Sequence, residues 1–255
     1  MPEFKLIVAL CRGGGIGFEG FLPWPKLARD HRFFAEITSS SVFPYNSAVV
    51  MGRRTWDSIP ASVRPLKFRD NFVISTLHAA PHDGHGDGHG DGDGDGDDSR
   101  VTFLNNLSEI RKHTKNYDTV WFIGGASIYE QVLATTQLSP AFAFTVDEMY
   151  VTFVDESYEH DTAFPLMYQY DSVEEWQTMR NDPLNRAIWC WTGADDIPKF
   201  VSFFTQETTR NNLYRVMDVD RDVVARITRP SDMKAIQERR SPNTIFLRLQ
   251  RVVEV

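Results

Sequence analysis

Five short apolar runs recur in the first half of the chain, and they constrain the fold more than any other feature. They are FKLIVAL (residues 4–10), AVVMG (48–52), NFVIST (71–76), VTFL (101–104) and TVWFIGG (119–125). Each is rich in β-branched or aromatic residues, and helical or loop-like segments separate them. Strands that are apolar on both sides, alternating with helices, predict a mostly parallel sheet covered on both faces. MYVTFV (149–154) and TIFLRLQRVV (244–253) add strands later; the second alternates and is expected to be an antiparallel edge. At 255 residues, with 42% hydrophobic and 13% aromatic residues, one large domain over 1–255 has enough material for its core. No apolar run approaches the length of a membrane span.

The formal charge of −8 conceals two local extremes. Residues 82–98 (HDGHGDGHGDGDGDGDD) hold seven Asp and three His with no basic residue, so the rest of the chain is near neutral. Such a tract has nothing to bury and repels itself; it is expected to be a disordered insertion, without the spaced apolar residue of a calcium-binding repeat. Residues 53–69 are the opposite: Arg53, Arg54, Arg64, Lys67 and Arg69 stand against one acid, Asp57. That excess of positive charge suits a small anionic ligand. Nothing in the sequence suggests nucleic-acid binding. With only Cys11 and Cys190, there is neither a disulfide framework nor metal-ligand spacing. The opening MPEFKLIVALC looks like a strand rather than a signal segment, so a cytoplasmic protein is expected.

Three stretches carry chemistry. Residues 16–34 (IGFEGFLPWPKLARDHRFF) place two prolines in a turn and then a helix from about Lys26. Leu27, Asp30, Phe33 and Phe34 share one face of that helix, which sets a carboxylate among apolar neighbours. A buried carboxylate is costly unless paired, protonated or functional. Residues 49–60 (VVMGRRTWDSIP) and 120–129 (VWFIGGASIY) are strand–glycine turn–helix units.

Taken together with RPLKFR (64–69) and DTAFP (161–165), these motifs resemble the dihydrofolate reductase family. The resemblance covers about residues 4–78, 100–165 and the strand near 244–253. It implies an α/β fold with a central, mainly parallel eight-stranded sheet, flanking helices and an antiparallel C-terminal strand. The family needs far fewer residues than 166–243 before its last strand, so this segment is expected to be either an elaborated hairpin with a surface helix or an interaction surface. The implied reaction is NADPH-dependent reduction of dihydrofolate, with a monomeric enzyme that also binds antifolates. Asp30 would anchor the pterin and promote protonation of N5, with a water near Leu22 as the proton donor and Trp24 holding a second water. Thr162 would hydrogen-bond the Asp30 carboxylate. Ile7 and Ile123 would offer backbone carbonyls at strand ends, while Val8, Ala9, Phe34, Ile59 and Leu66 line the ring site. Arg69 would take the α-carboxylate of the substrate's glutamate tail, which passes His31. His31 and Val63 depart from the residues usual at those places, which bears on antifolate affinity rather than on the reaction.

For the cofactor, the resemblance implies a cis Gly124–Gly125 bond at the pyrophosphate, with Ala126, Ser127, Ile128 and Tyr129 behind it. Gly52, Arg54 and Thr55 would add phosphate contacts. Arg53 and Ser75 would meet the 2′-phosphate, beside Thr76 and Asn106 where relatives carry arginines. Ala9, Ile16 and Gly20 would border the nicotinamide. No GxGxxG follows the first strand, so this is not a Rossmann site. Two other readings compete: the NADPH-dependent pyrimidine reductase of riboflavin synthesis, and a catalytically silent NADPH- or folate-binding protein.

Overall fold

The apolar runs form strands whose alternate side chains serve two different cores. In β1 (Glu3–Arg12), Leu6, Val8 and Leu10 point to one face while Ile7 points to the other. In β3 (Ser47–Gly52), Ala48 and Val50 join the first core, and Val49 and Met51 the second. This double burial explains why these runs are continuously apolar rather than alternating. The structure is a computed structural model describing residues 2–76, 101–134, 145–165, 167–179, 199–203, 213–218 and 244–252. The expectations for residues 82–98, and for much of 166–243, lie outside these.

The chain continues through the short β2 (Gly15–Gly17), α1 (Ala28–Thr38), β3, α2 (Arg53–Ser58) and β4 (Asp70–Ile74). After β5 (Val101–Leu104), a 3-10 turn leads into α3 (Ile110–His113), then β6 (Thr119–Gly124) and α4 (Ala126–Ala134). β7 (Val146–Ser157) and β8 (Thr162–Ala163) follow, and then β9 (Met167–Tyr170), α5 (Val173–Met179), β10 (Phe200–Phe203), β11 (Leu213–Asp218) and β12 (Thr244–Arg251). The main sheet has the order β5-β4-β3-β6-β1-β7-β12-β11-β10-β9. β1 and β3–β7 run parallel to one another, whereas β12 pairs antiparallel with β7, and β11, β10 and β9 continue antiparallel.

Two expectations change here. The described sheet has ten strands rather than eight, because β9 and β10, from the long C-terminal segment, extend its edge. β12 is antiparallel as expected, but it lies between β7 and β11 rather than at an edge. Burial of Ile245, Phe246, Leu247 and Leu249 fits that interior place.

α1 begins at Ala28, after a buried Leu27 in extended conformation. The prolines on either side of Trp24 keep the preceding backbone extended, delaying the helix past Lys26. Phe33 fixes the helix to one sheet face, its ring 4.8 Å from that of Phe246. α4 covers the opposite face through Ile128, Tyr129, Val132 and Leu133.

A cleft arises from unequal pairing. β1 pairs with β7 along nearly its whole length but with β6 only from Glu3 to Leu6. Beyond Leu6 the two parallel strands separate, leaving the β1 edge from Ile7 onward opposite Ile123–Gly125. Openings of this kind, beyond the carboxyl ends of parallel strands, are where α/β sheets take their ligands.

Candidate active site

Asp30 comes from the first turn of α1 and is 9% exposed. Its carboxylate is hydrogen-bonded by Thr152, which stands beside Ala9 in the β1–β7 register. Burial pushes the Asp30 carboxyl above the ordinary carboxylate range; the Thr152 hydrogen bond and the charge of His31 offset part of this. Tyr129, from α4, is fully buried and donates its hydroxyl to the Ile7 carbonyl at 2.8 Å. Burial, and after it the Asp30 charge, hold that phenol protonated.

The threonine partner of Asp30 is therefore Thr152, not Thr162. Thr162 sits in β8, paired with Gly17 of β2, and its hydroxyl donates to Asp161 Oδ1 at 2.8 Å. Asp161 Oδ2 in turn accepts the Glu19 backbone N–H at 2.8 Å. These two bonds hold the Asp161 carboxyl below its usual range. They anchor a tight hairpin in which Phe18 and Phe21 exchange both backbone hydrogen bonds. Glu19 and Gly20 at its tip have φ of 49° and 84°, which favours glycine at position 20. Leu22, 44% exposed, follows this hairpin. Trp24 is buried with Leu27, Cys11 and Val154, yet its indole Nε1 finds no hydrogen-bond partner among the described residues.

An apolar cluster collects most of the expected ring-site residues. Ile7, Phe34, Ile59, Leu66 and Ile123 pack together on the α1 face, beside Phe33 and Trp56. Val8 points to the other core, so only its backbone belongs to the cleft edge. Ile123 is at a strand end as expected; Ile7 is mid-strand, at the point where pairing with β6 stops. His31 is exposed on α1.

Arg69 lies behind this cluster, 4% exposed, with its guanidinium 5.8 Å from the Phe34 ring. Its Nε donates to the Lys67 carbonyl (2.8 Å), one Nη to Thr38 Oγ1, and the other to the Ala35 carbonyl (3.2 Å) and Ser39 Oγ (2.7 Å). All four acceptors are neutral, and burial lowers its pKa to about 10. Among the described residues, one of its five N–H donors has no acceptor and its charge has no acidic partner.

The nucleotide side is built at the ends of β3, β4 and β6. Gly124–Gly125 is cis. Gly124 has φ of 114°, and a Cβ there would lie 3.0 Å from the Tyr129 hydroxyl oxygen. A Cβ on Gly125 would lie 3.2 Å from Thr55 Oγ1, and one on Gly52 3.5 Å from the Ile128 side chain. Gly52, Gly124 and Gly125 thus form a cradle of bare backbone beside Thr55, with Ala126 opening α4 behind it. Ser127 is exposed and hydrogen-bonded to Gln131. Arg54 and Thr76 are exposed, and the buried Ser75 donates its N–H to Leu104. Arg53 pairs with Asp57 at 2.8 Å. Ile16 packs against the first core and Ala9 against the Trp24 cluster.

Among the described residues, no group of three or more His, Cys, Asp or Glu could hold a metal ion. No described helix is long and apolar enough to cross a membrane. Sequence reasoning missed Thr152 and Asp161; the first could be found only from strand register, the second from its place next to Thr162.

Comparison with known proteins agrees with this geometry. A family model for dihydrofolate reductase matches residues 3–187. The chain is 36% identical over 160 residues to the viral dihydrofolate reductase of Saimiriine herpesvirus 2 (strain 488), covering 62% of this chain and 67% of that protein. It is 34% identical over 161 residues to dihydrofolate reductase of Gallus gallus, covering 62% and 76%. With that of Heliothis virescens the identity is 32% over 178 residues, covering 69% and 86%. The chain belongs to the dihydrofolate reductase family, enzymes that reduce dihydrofolate to tetrahydrofolate.

Proposed function

We propose that this chain reduces 7,8-dihydrofolate to 5,6,7,8-tetrahydrofolate with NADPH. The observation that carries the reading is Asp30: a buried carboxylate, held by Thr152 and raised in pKa, at the mouth of the β1–β6 cleft. A pterin presents a ring N3 hydrogen and a 2-amino group side by side, which one carboxylate accepts as a bidentate pair. NADPH, when bound, supplies the hydride that reaches C6 of the pterin. The chain's own residues orient the ring and manage the proton. Asp30 binds the pterin edge and favours protonation at N5, which a water entering past the exposed Leu22 delivers. Trp24 Nε1, buried without a partner, suits a water bridging to the same edge. The Ile7 carbonyl keeps a second lone pair beside the Tyr129 bond for the pterin's exocyclic group, with the Ile123 carbonyl across the cleft.

Phe34, Ile59 and Leu66 exclude water around the ring, and the uncompensated Arg69 charge binds the α-carboxylate of the glutamate tail. The glycine cradle fits a pyrophosphate, because bare backbone there leads straight into the N-terminus of α4. Arg53, with Ser75 and Thr76 at the neighbouring strand end, suits the 2′-phosphate.

The test follows NADPH absorbance with purified chain and dihydrofolate. Steady oxidation that requires dihydrofolate is expected, with Asp30→Asn largely inactive while still binding NADPH. Oxidation with a ribosylamino-pyrimidine but not dihydrofolate would favour the pyrimidine reductase. NADPH binding without turnover on either would mean a silent binding protein.

A further inference from the structure

The basic stretch 53–69 contains one acid, and the structure lodges it between two of the arginines. Asp57 Oδ2 accepts from Arg53 Nε at 2.8 Å, and its Oδ1 is 3.6 Å from Arg64 Nη1. Both arginines are also held by aromatic rings. Arg53 lies 5.8 Å from the Phe103 ring centroid, and Arg64 5.4 Å from that of Trp56, donating to the Trp56 carbonyl at 3.0 Å. Phe103 and Trp56 meet edge-on at 6.1 Å. Arg53 is thus set in a frame at the ends of β3–β5, its Nε committed and its charge already matched by a carboxylate.

We infer that Asp57 is a specificity-determining residue for the cofactor, limiting the preference for a 2′-phosphorylated dinucleotide by sharing Arg53 with it. The inference rests on the NADPH reading above. A 2′-phosphate approaching Arg53 meets the Nη hydrogens of a nearly neutral Arg–Asp pair rather than a free cation. It also meets the Asp57 negative charge within a screening length of about 8 Å. NADH has no 2′-phosphate to set against that charge, so only its pyrophosphate feels it. Thr76 and Asn106 are uncharged, so they add no cation to compensate. Asp57 is half exposed, so solvent weakens its effect without abolishing it. An amide at this position could still accept from Arg53 Nε, keeping the guanidinium in place while removing the charge.

The experiment measures Kd for NADPH and NADH by quenching of intrinsic tryptophan fluorescence, at several salt concentrations. Asp57→Asn is expected to tighten NADPH by about 3–10-fold, the effect of one unit charge several ångströms away in near-aqueous surroundings. NADH should tighten less, and the salt dependence of NADPH binding should steepen. Asp57→Glu should restore the original ratio. In an Arg53→Ala background, Asp57→Asn should tighten NADPH by a smaller factor, because only the direct repulsion is left to remove. An unchanged or weakened NADPH affinity in Asp57→Asn, with discrimination intact in the unaltered chain, would overturn this inference alone. Equal affinity of the unaltered chain for the two cofactors would overturn the NADPH reading and this inference with it.

Discussion

Ionising Asp30 is harder inside the fold than in the unfolded chain, because burial removes the water that would solvate its charge. Its folded pKa is raised, so the stability linked to it is fully present below the ordinary carboxylate range and is lost as pH rises through the folded value. Asp30→Asn should therefore melt above the unaltered chain at neutral pH, and the difference should close in acid; a pH series of Tm values checks this. The same substitution should lower turnover by about 10²–10⁴-fold, the scale for a lost acid/base group. If the protonated carboxyl favours the reaction, activity falls as pH rises through its pKa. Thr152 lowers that pKa, so Thr152→Val should move the fall to higher pH, whereas Thr162→Val should leave its position alone. Measured pH–rate profiles of the two variants decide between the threonines. Asp30 was legible in the sequence because a carboxylate on an apolar helix face is chemically conspicuous. Thr152 was not, since a threonine within YVTFV is also an ordinary strand residue. Only the pairing of Ala9 with Thr152 brings its hydroxyl to α1.

The elements themselves were largely legible, because strands buried on both faces leave continuous apolar runs and prolines mark where α1 can begin. What the runs do not carry is pairing. The cleft exists because β1 stops pairing with β6 at Leu6 and continues beside β7, a matter of register between distant segments. The β6–α4 junction closes one side of it, and Gly124 is its most constrained position. A methyl group there would enter the Tyr129 ring, with atoms at 3.0–3.2 Å, on a backbone whose φ of 114° disfavours side chains. Gly124→Ala should cost about 1–3 kcal/mol of stability in denaturant titration. Because the clash with Tyr129 displaces the turn ahead of α4, the variant should also bind NADPH more weakly. Unaltered binding would separate the cradle from the cofactor.

Across the whole molecule, the C-terminal strands extend the sheet away from the cleft. β9 and β10 stand at one edge, with β11, β12 and β7 between them and β1. A second aromatic core forms there: Tyr168, Tyr170, Trp176 and Leu213 are buried together, with Trp176 only 1% exposed. The sequence suggested only an elaborated hairpin with a helix here; its joining the main sheet was not legible, since its short strands show no long period and it exceeds what the family pattern requires. Its hydrogen bonds continue through β11 into β12, the strand that flanks β7. A defect at the edge should therefore weaken the sheet as a unit while leaving the cleft geometry intact. Trp176→Ala removes the largest fully buried side chain among the described residues and should cost about 3–5 kcal/mol. For a chain of this size, that corresponds to a fall in Tm on the order of 10 °C in a single transition. Below that transition, kcat and the NADPH Kd should match the unaltered chain, because three strands separate this edge from β1. Two separate transitions would show that β9–β10 folds independently of the sheet it extends. A lowered kcat in fully folded protein would show that the extension shapes the active site.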